Sequence, residues 1–230
     1  MKLAFDPVKH GWHFSTNIIA DAMGVKRNNG LSGGMSLAAV NYFRYGLDIP
    51  PIGYFEFKKA NKAVKNARVL AGGNDVNPVF NFILNSQFAV FESPHIIKQE
   101  ISLPFPNTKE NHHFTSVYDE FPKIKKALDN GYFVIIGLRS ADEGNQAAHQ
   151  TLVYGYDDNG STLYMYDSNN PDEEVTVKSD GYRLIFSNGK QYSSYYLLMT
   201  LNPGVHSNLN AYDSSQNQVY NFSVKPPVAA

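Results

Sequence analysis

Hydrophobic positions change their period partway along this chain. From Met35 onward, Met35, Leu37, Ala38, Ala39, Tyr42 and Phe43 recur at spacings of three and four, which predicts a helix that Gly46 and the Pro50-Pro51 pair stop. Val79, Phe80, Ile83, Leu84 and Phe88 predict a second helix over 76–91. A third is predicted over 116–130, ending at Gly131. After Gly131 the pattern turns to short runs rich in β-branched and aromatic residues. Strands are predicted over 132–138, 148–156, 162–166, 174–178, 182–186 and 192–201, with Asp157-Asp158-Asn159-Gly160 as the turn between the second and third. The tail from 203 to 230 is rich in Asn, Ser and Pro and reads as irregular. Helices first and strands afterwards argue for an α+β fold, with a helical lobe over about 1–131 and an antiparallel sheet lobe over about 132–202 in one domain.

Composition narrows the function. With 43% hydrophobic and 13% aromatic residues, 230 residues suffice for a real core, and disorder is excluded for the bulk of the chain. A net charge of −1 without a basic stripe gives no footprint of nucleic-acid binding. No apolar run approaches the ~20 residues of a membrane span. The N-terminus lacks the apolar core of a signal peptide, so the expected location is cytoplasmic, or exported without a recognisable leader. There is no cysteine, which excludes disulfides and thiolate metal sites.

Three residues carry candidate chemistry. Gly30-Leu31-Ser32-Gly33-Gly34 opens the first strong helix. Unpaired N–H groups at a helix N-terminus stabilise negative charge, and flanking glycines let a substrate backbone approach. His149 lies on the predicted strand 148–156 and Asp167 ends the next one. With the turn centred near Asp158, the hairpin sets residue 149 opposite 167 to within about one position, on one face. A carboxylate beside an imidazole fixes its tautomer and stabilises the imidazolium. Each residue has a plainer reading alone: Ser32 as a helix N-cap, His149 as a core or surface histidine, Asp167 as a turn initiator.

Two motif readings compete for Ser32. Gly30-Leu31-Ser32-Gly33-Gly34 fits the G-x-S-x-G elbow of α/β-hydrolases, and Ser32, Asp167 and His206 run in that order. The elbow needs an apolar strand just before the serine, and AMGVKRNN over 22–29 is not one. The stronger likeness lies in GLSGGMSLAAVNYF, which resembles the active-site helix of a bacterial group of papain-like cysteine peptidases with a GLCGGM-type motif. AHQTLVYGYDDNGSTLYMYDSNNP resembles their histidine-bearing hairpin, and FDPVKHGWHFSTN their N-terminal lead-in. The order nucleophile, histidine, acid matches, and the separation of Ser32 from His149 is near the papain-type range of about 130–150 residues.

The resemblance implies a papain-like fold, no cofactor, and a peptide or protein substrate in the cleft between the lobes. It implies His149 as general base and Asp167 as its orienting partner, with serine where the family has cysteine. The usual oxyanion glutamine is missing at 24–29, so Asn28 or Asn29 is the side-chain candidate and the Ser32 N–H a backbone one. An alkoxide is far harder to generate than a thiolate, so little hydrolysis is expected. Three readings stay open: a cysteine hydrolase or acyl transferase carrying an inactivating substitution, a natural pseudoenzyme that binds or self-assembles, and a serine hydrolase using Ser32, His149 and Asp167. Tyr154, Tyr156, Tyr164, Tyr166, Tyr192, Tyr195 and Tyr196 read mostly as sheet faces, with an exposed tyrosine patch for self-association as the alternative. His112 and His113 with Glu110 are weaker metal candidates, and 58–65 reads as a solvated helix face.

Overall fold

The computed structural model describes residues 1–15, 31–50, 78–93, 113–140, 148–201, 210–212 and 218–221. The helices are α1 (Pro7–His10), α2 (Ser32–Arg44), α3 (Pro78–Phe91), a π-helical segment (Thr115–Glu120) and α4 (Phe121–Asp129). The strands are β1 (Phe133–Ser140), β2 (Ala148–Asp157), β3 (Thr162–Tyr166), β4 (Glu174–Ser179), β5 (Leu184–Phe186) and β6 (Tyr192–Leu201), followed by β7 (Asn210–Tyr212) and β8 (Gln218–Asn221). The first six form one antiparallel sheet in the order β5-β4-β3-β2-β1-β6. The fold is α+β, as the order of periods predicts. β7 and β8 pair with each other inside the tail read as irregular, which corrects that expectation at these positions.

Both faces of the sheet are covered, and the alternation along β1 shows how. Phe133 and Ile135 join Met35, Ala38, Tyr42, Phe82 and Ile83 in a core beneath α2 and α3. Val134, Ile136 and Leu138 join Ile124, Leu128, Val153, Met165, Val177 and Leu197 in a second core beneath α4. This is why β1 reads as a continuous apolar run and not as an alternating one. The predicted boundary at Gly131 separates helices from strands along the chain, yet α4 packs on the sheet face opposite α2 and α3. The same two-sided cover removes the tyrosine surface: Tyr154, Tyr156, Tyr166 and Tyr195 are buried, and Tyr164, Tyr192 and Tyr196 half-buried. They form no exposed patch for self-association.

Side chains repair the sheet where its ladder is broken. β6 carries an extra residue between the pairs Ile135↔Met199 and Ile136↔Leu197. Ser93 Oγ donates to the carbonyl of Leu198 at 2.5 Å, and the Leu197 N–H donates to Glu120 Oε2 at 2.8 Å. Ser116 Oγ both donates to the Tyr195 carbonyl and accepts from its N–H, at 2.9 and 2.8 Å. β6 is the last strand of the sheet, and the π-helical segment supplies partners to its outer edge. The N-terminus serves β2 in the same way beyond the end of β1: the Leu3 N–H donates to the Tyr154 carbonyl at 2.8 Å, and Tyr156 N–H to that of Met1 at 2.8 Å.

The N-terminal lead-in also ties the sheet to α2. Trp12 is fully buried; its N–H donates to the Tyr166 hydroxyl at 3.0 Å and its indole Nε1–H to the Met35 carbonyl at 3.1 Å. Among the described residues, no helix is long and apolar enough to cross a membrane.

Candidate active site

Ser32 is the first residue of α2, and the residue at the N-cap position is Leu31, which makes no side-chain cap. The N-cap reading of Ser32 is therefore corrected. Its hydroxyl is buried and turned to another element: the Gln150 N–H of β2 donates to Ser32 Oγ at 3.1 Å. That contact brings the start of α2 to the residue immediately after His149.

His149 and Asp167 meet as a pair, with His149 Nε2 and Asp167 Oδ1 2.6 Å apart. They do so in a different register from the one expected. The turn centres later, through a 3₁₀ segment at Asn159–Ser161, and a bulge at Tyr154 shifts the pairing from Gly155↔Tyr164 to Val153↔Met165. Leu152 pairs with Tyr166, so one further step sets Asp167 across from Thr151. His149 is then the diagonal neighbour on the same face, within reach of a long side chain. The one-residue bulge and the later turn together move the register by two positions, which preserves the face.

Asp167 is almost fully buried and well supplied with donors. The Asn169 N–H donates to Oδ1 at 2.8 Å, and Asn188 Nδ2 to Oδ2 at 3.3 Å. Burial alone would raise its carboxyl; the charge and hydrogen bond of His149, the Asn169 amide and the charge of Lys190 outweigh it and hold the group below the ordinary carboxylate range. With Nε2 joined to the carboxylate, the proton of a neutral His149 sits on Nε2 and the lone pair on Nδ1. Asn169 Nδ2 lies 3.4 Å from both ring nitrogens. Tyr192 stacks on the imidazole with 6.3 Å between centroids and 16° between planes, and burial pushes its hydroxyl up to about 12.

The glycines after Ser32 are required by packing. A Cβ on Gly34 would lie 2.8 Å from the Gln87 nitrogen and 2.9 Å from Gln87 Cβ, and one on Gly33 would collide with Gln150 Oε1. Gln87 is buried on α3; its Oε1 accepts from the Gly34 N–H at 2.8 Å. Gln87, Asn188 and Tyr192 lie outside the motifs that mark the site in the sequence; Gln150 and Asn169 lie within the histidine-bearing hairpin, Gln150 directly after His149 and Asn169 two residues after Asp167.

Other candidates resolve differently. Asn28, Asn29, His206, Glu110, His112 and the 58–65 stretch lie outside the described residues. The antiparallel sheet has no place for an α/β-hydrolase elbow, which sits on a strand-to-helix turn of a parallel sheet. His113 Nε2 lies 2.7 Å from Ser179 Oγ, and among the described residues no His, Cys, Asp and Glu side chains cluster as a metal would need.

Searches of curated proteins and of solved structures return no match. A family model described as Peptidase_C39 like matches residues 77–200. That span is more than half of the chain; it includes His149, Asp167, Gln87 and Gln150, and begins after Ser32. The chain therefore belongs to the Peptidase_C39 like family, a family of papain-like cysteine peptidases.

Proposed function

We propose that this chain is a papain-like hydrolase or acyl-transferase scaffold for peptide or amide bonds, with serine at the nucleophile position and hydrolysis absent or strongly impaired. The observation that carries this reading is the Gln150 N–H to Ser32 Oγ bond, one residue from a His149 whose Nε2 is already held by Asp167. Ser32 takes the nucleophile's role, His149 Nδ1 the base's and Asp167 the orienting role. With a thiolate at position 32, sulfur adds to the amide carbon. The imidazolium then protonates the leaving amine as the C–N bond breaks, and water hydrolyses the thioester with His149 as base. The Gly34 and Met35 N–H groups are already bonded, to Gln87 Oε1 and to the Leu31 carbonyl. The N–H groups of Ser32 and Gly33 are the backbone donors best suited to an oxyanion.

Serine weakens this chemistry because the hydroxyl lacks a preformed anion, and the site holds an imidazole arranged for a thiol. Ser32→Cys in the full chain should introduce His149-dependent alkylation by iodoacetamide and measurable amidase activity. If the variant stays inert with His149 and Asp167 intact, the hydrolase reading fails. Covalent labelling of the unsubstituted chain by a fluorophosphonate would replace it with a serine hydrolase.

A further inference from the structure

Ser32 is bonded to the β2 backbone, and the helix that carries it must be held at that distance. Gln87 provides the hold. It is 2% exposed, its Oε1 accepts from the Gly34 N–H at 2.8 Å, and its Nε2 donates to Gln150 Oε1 at 2.9 Å. Gln150 in turn donates its own N–H to Ser32 Oγ at 3.1 Å. These contacts close a ring through three elements: Ser32 and Gly34 on α2, Gln87 on α3, and Gln150 on β2. The ring is closely packed: a Cβ on Gly34 would meet the Ile83 carbonyl and the Gln87 backbone, and one on Gly33 the Gln150 amide. Two buried side-chain amides are a costly way to fill space; apolar side chains would need no partners there. What an amide adds is an acceptor and a donor at fixed separation on one planar group.

We infer that Gln87 and Gln150 are positioning residues that act as one clamp and set how the side chain at position 32 meets His149. The inference rests on the site reading above. Gln150 follows His149 directly, so anchoring it fixes the strand at the point from which the imidazole projects. A nucleophile needs that precision, because a misplacement of about 1 Å is enough to cost about a hundredfold in rate. The Gln150 N–H, the α2 N-terminus and His149 all favour negative charge at position 32, and each weakens as α2 moves off β2.

The test uses the full chain carrying Ser32→Cys and the pH–rate profile of alkylation by iodoacetamide. Adding Gln87→Met should raise the midpoint by about one pH unit, which is about a tenfold loss of thiolate well below it. Gln150→Met should do the same. The double substitution should shift the midpoint no further than the larger single one, because both cut the same ring. Thermal unfolding measured alongside separates positioning from packing. Substitutions that lower Tm and leave the midpoint in place overturn the clamp, as do shifts that add. Should Gln87→Met fail to fold, Gln150→Met and the shorter Gln87→Asn give the same discrimination. The site reading itself fails, and the clamp with it, if Ser32→Cys alone titrates like an ordinary thiol at about 8.5 and His149→Ala leaves it there. If the midpoint depends on His149 and ignores both glutamines, only the clamp fails.

Discussion

The Gln150 N–H and the Ser32 hydroxyl lie 3.1 Å apart across 118 residues of sequence. The bond joins the first turn of α2 to the strand that bears His149. It is also the contact through which a side chain at position 32 enters the neighbourhood of the His149–Asp167 pair.

Asp167 is held below the ordinary carboxylate range in the folded state, whereas unfolding returns it to about 3.9. A group depressed by folding contributes stability that is complete above its unfolded value and is lost as pH falls through the folded one. Urea midpoints measured from pH 7 down to pH 3 should therefore drop more steeply at the acid end for the unsubstituted chain than for Asp167→Asn. At neutral pH the Asn variant should be the less stable of the two. Parallel acid limbs would show that the carboxylate contributes nothing to folding.

Gly34 and Gly46 are needed for different reasons, and alanine at each should separate them. At Gly34 a Cβ meets the α3 backbone and Gln87, so Gly34→Ala should cost about 1–3 kcal/mol by overpacking. At Gly46, φ is +63° and nothing lies within 4 Å, so Gly46→Ala carries only the backbone penalty of about 1 kcal/mol. Denaturant midpoints measure both. In the Ser32→Cys background, only the Gly34 change should also slow alkylation, because it displaces the start of α2.

Glu120 is buried and accepts the Leu197 N–H at the bulge of β6, while Lys123 reaches its other oxygen at 2.6 Å. Glu120→Ala leaves that buried N–H without its partner and should cost about 1–3 kcal/mol. Glu120→Gln keeps a carbonyl acceptor and should recover most of the loss. Equal destabilisation by the two variants would assign the effect to the charge and not to the hydrogen bond.

Element types and their order were legible because each segment's local period matches the face it buries. α2 begins three residues before its first strongly periodic position, since Ser32, Gly33 and Gly34 bury backbone and small side chains that leave no hydrophobic mark. β3 and β6 fall where the pattern places them, at Thr162–Tyr166 and Tyr192–Leu201. The strand tyrosines mark sheet faces but not whether a face is open, because a half-polar ring fits an open and a covered face alike. The cover comes from α2 and α3 on one face and from α4 on the other, and the helices' own patterns do not say which face of the sheet each joins.

The sequence by itself determined an α+β chain with helices before strands, and singled out Ser32, His149 and Asp167 by motif and by order. Local periodicity and turn chemistry suffice for that, because they act over a few residues. Only the tertiary structure decided the register. The bulge at Tyr154 and the late turn make Asp167 a diagonal neighbour of His149 and not an opposite one. It also decided that Ser32 bonds across to β2 instead of capping its helix, and that Gln87 hydrogen-bonds both Gly34 and Gln150. Those contacts join residues far apart in the chain, and a buried glutamine differs from an exposed one only in the partners that folding brings to it.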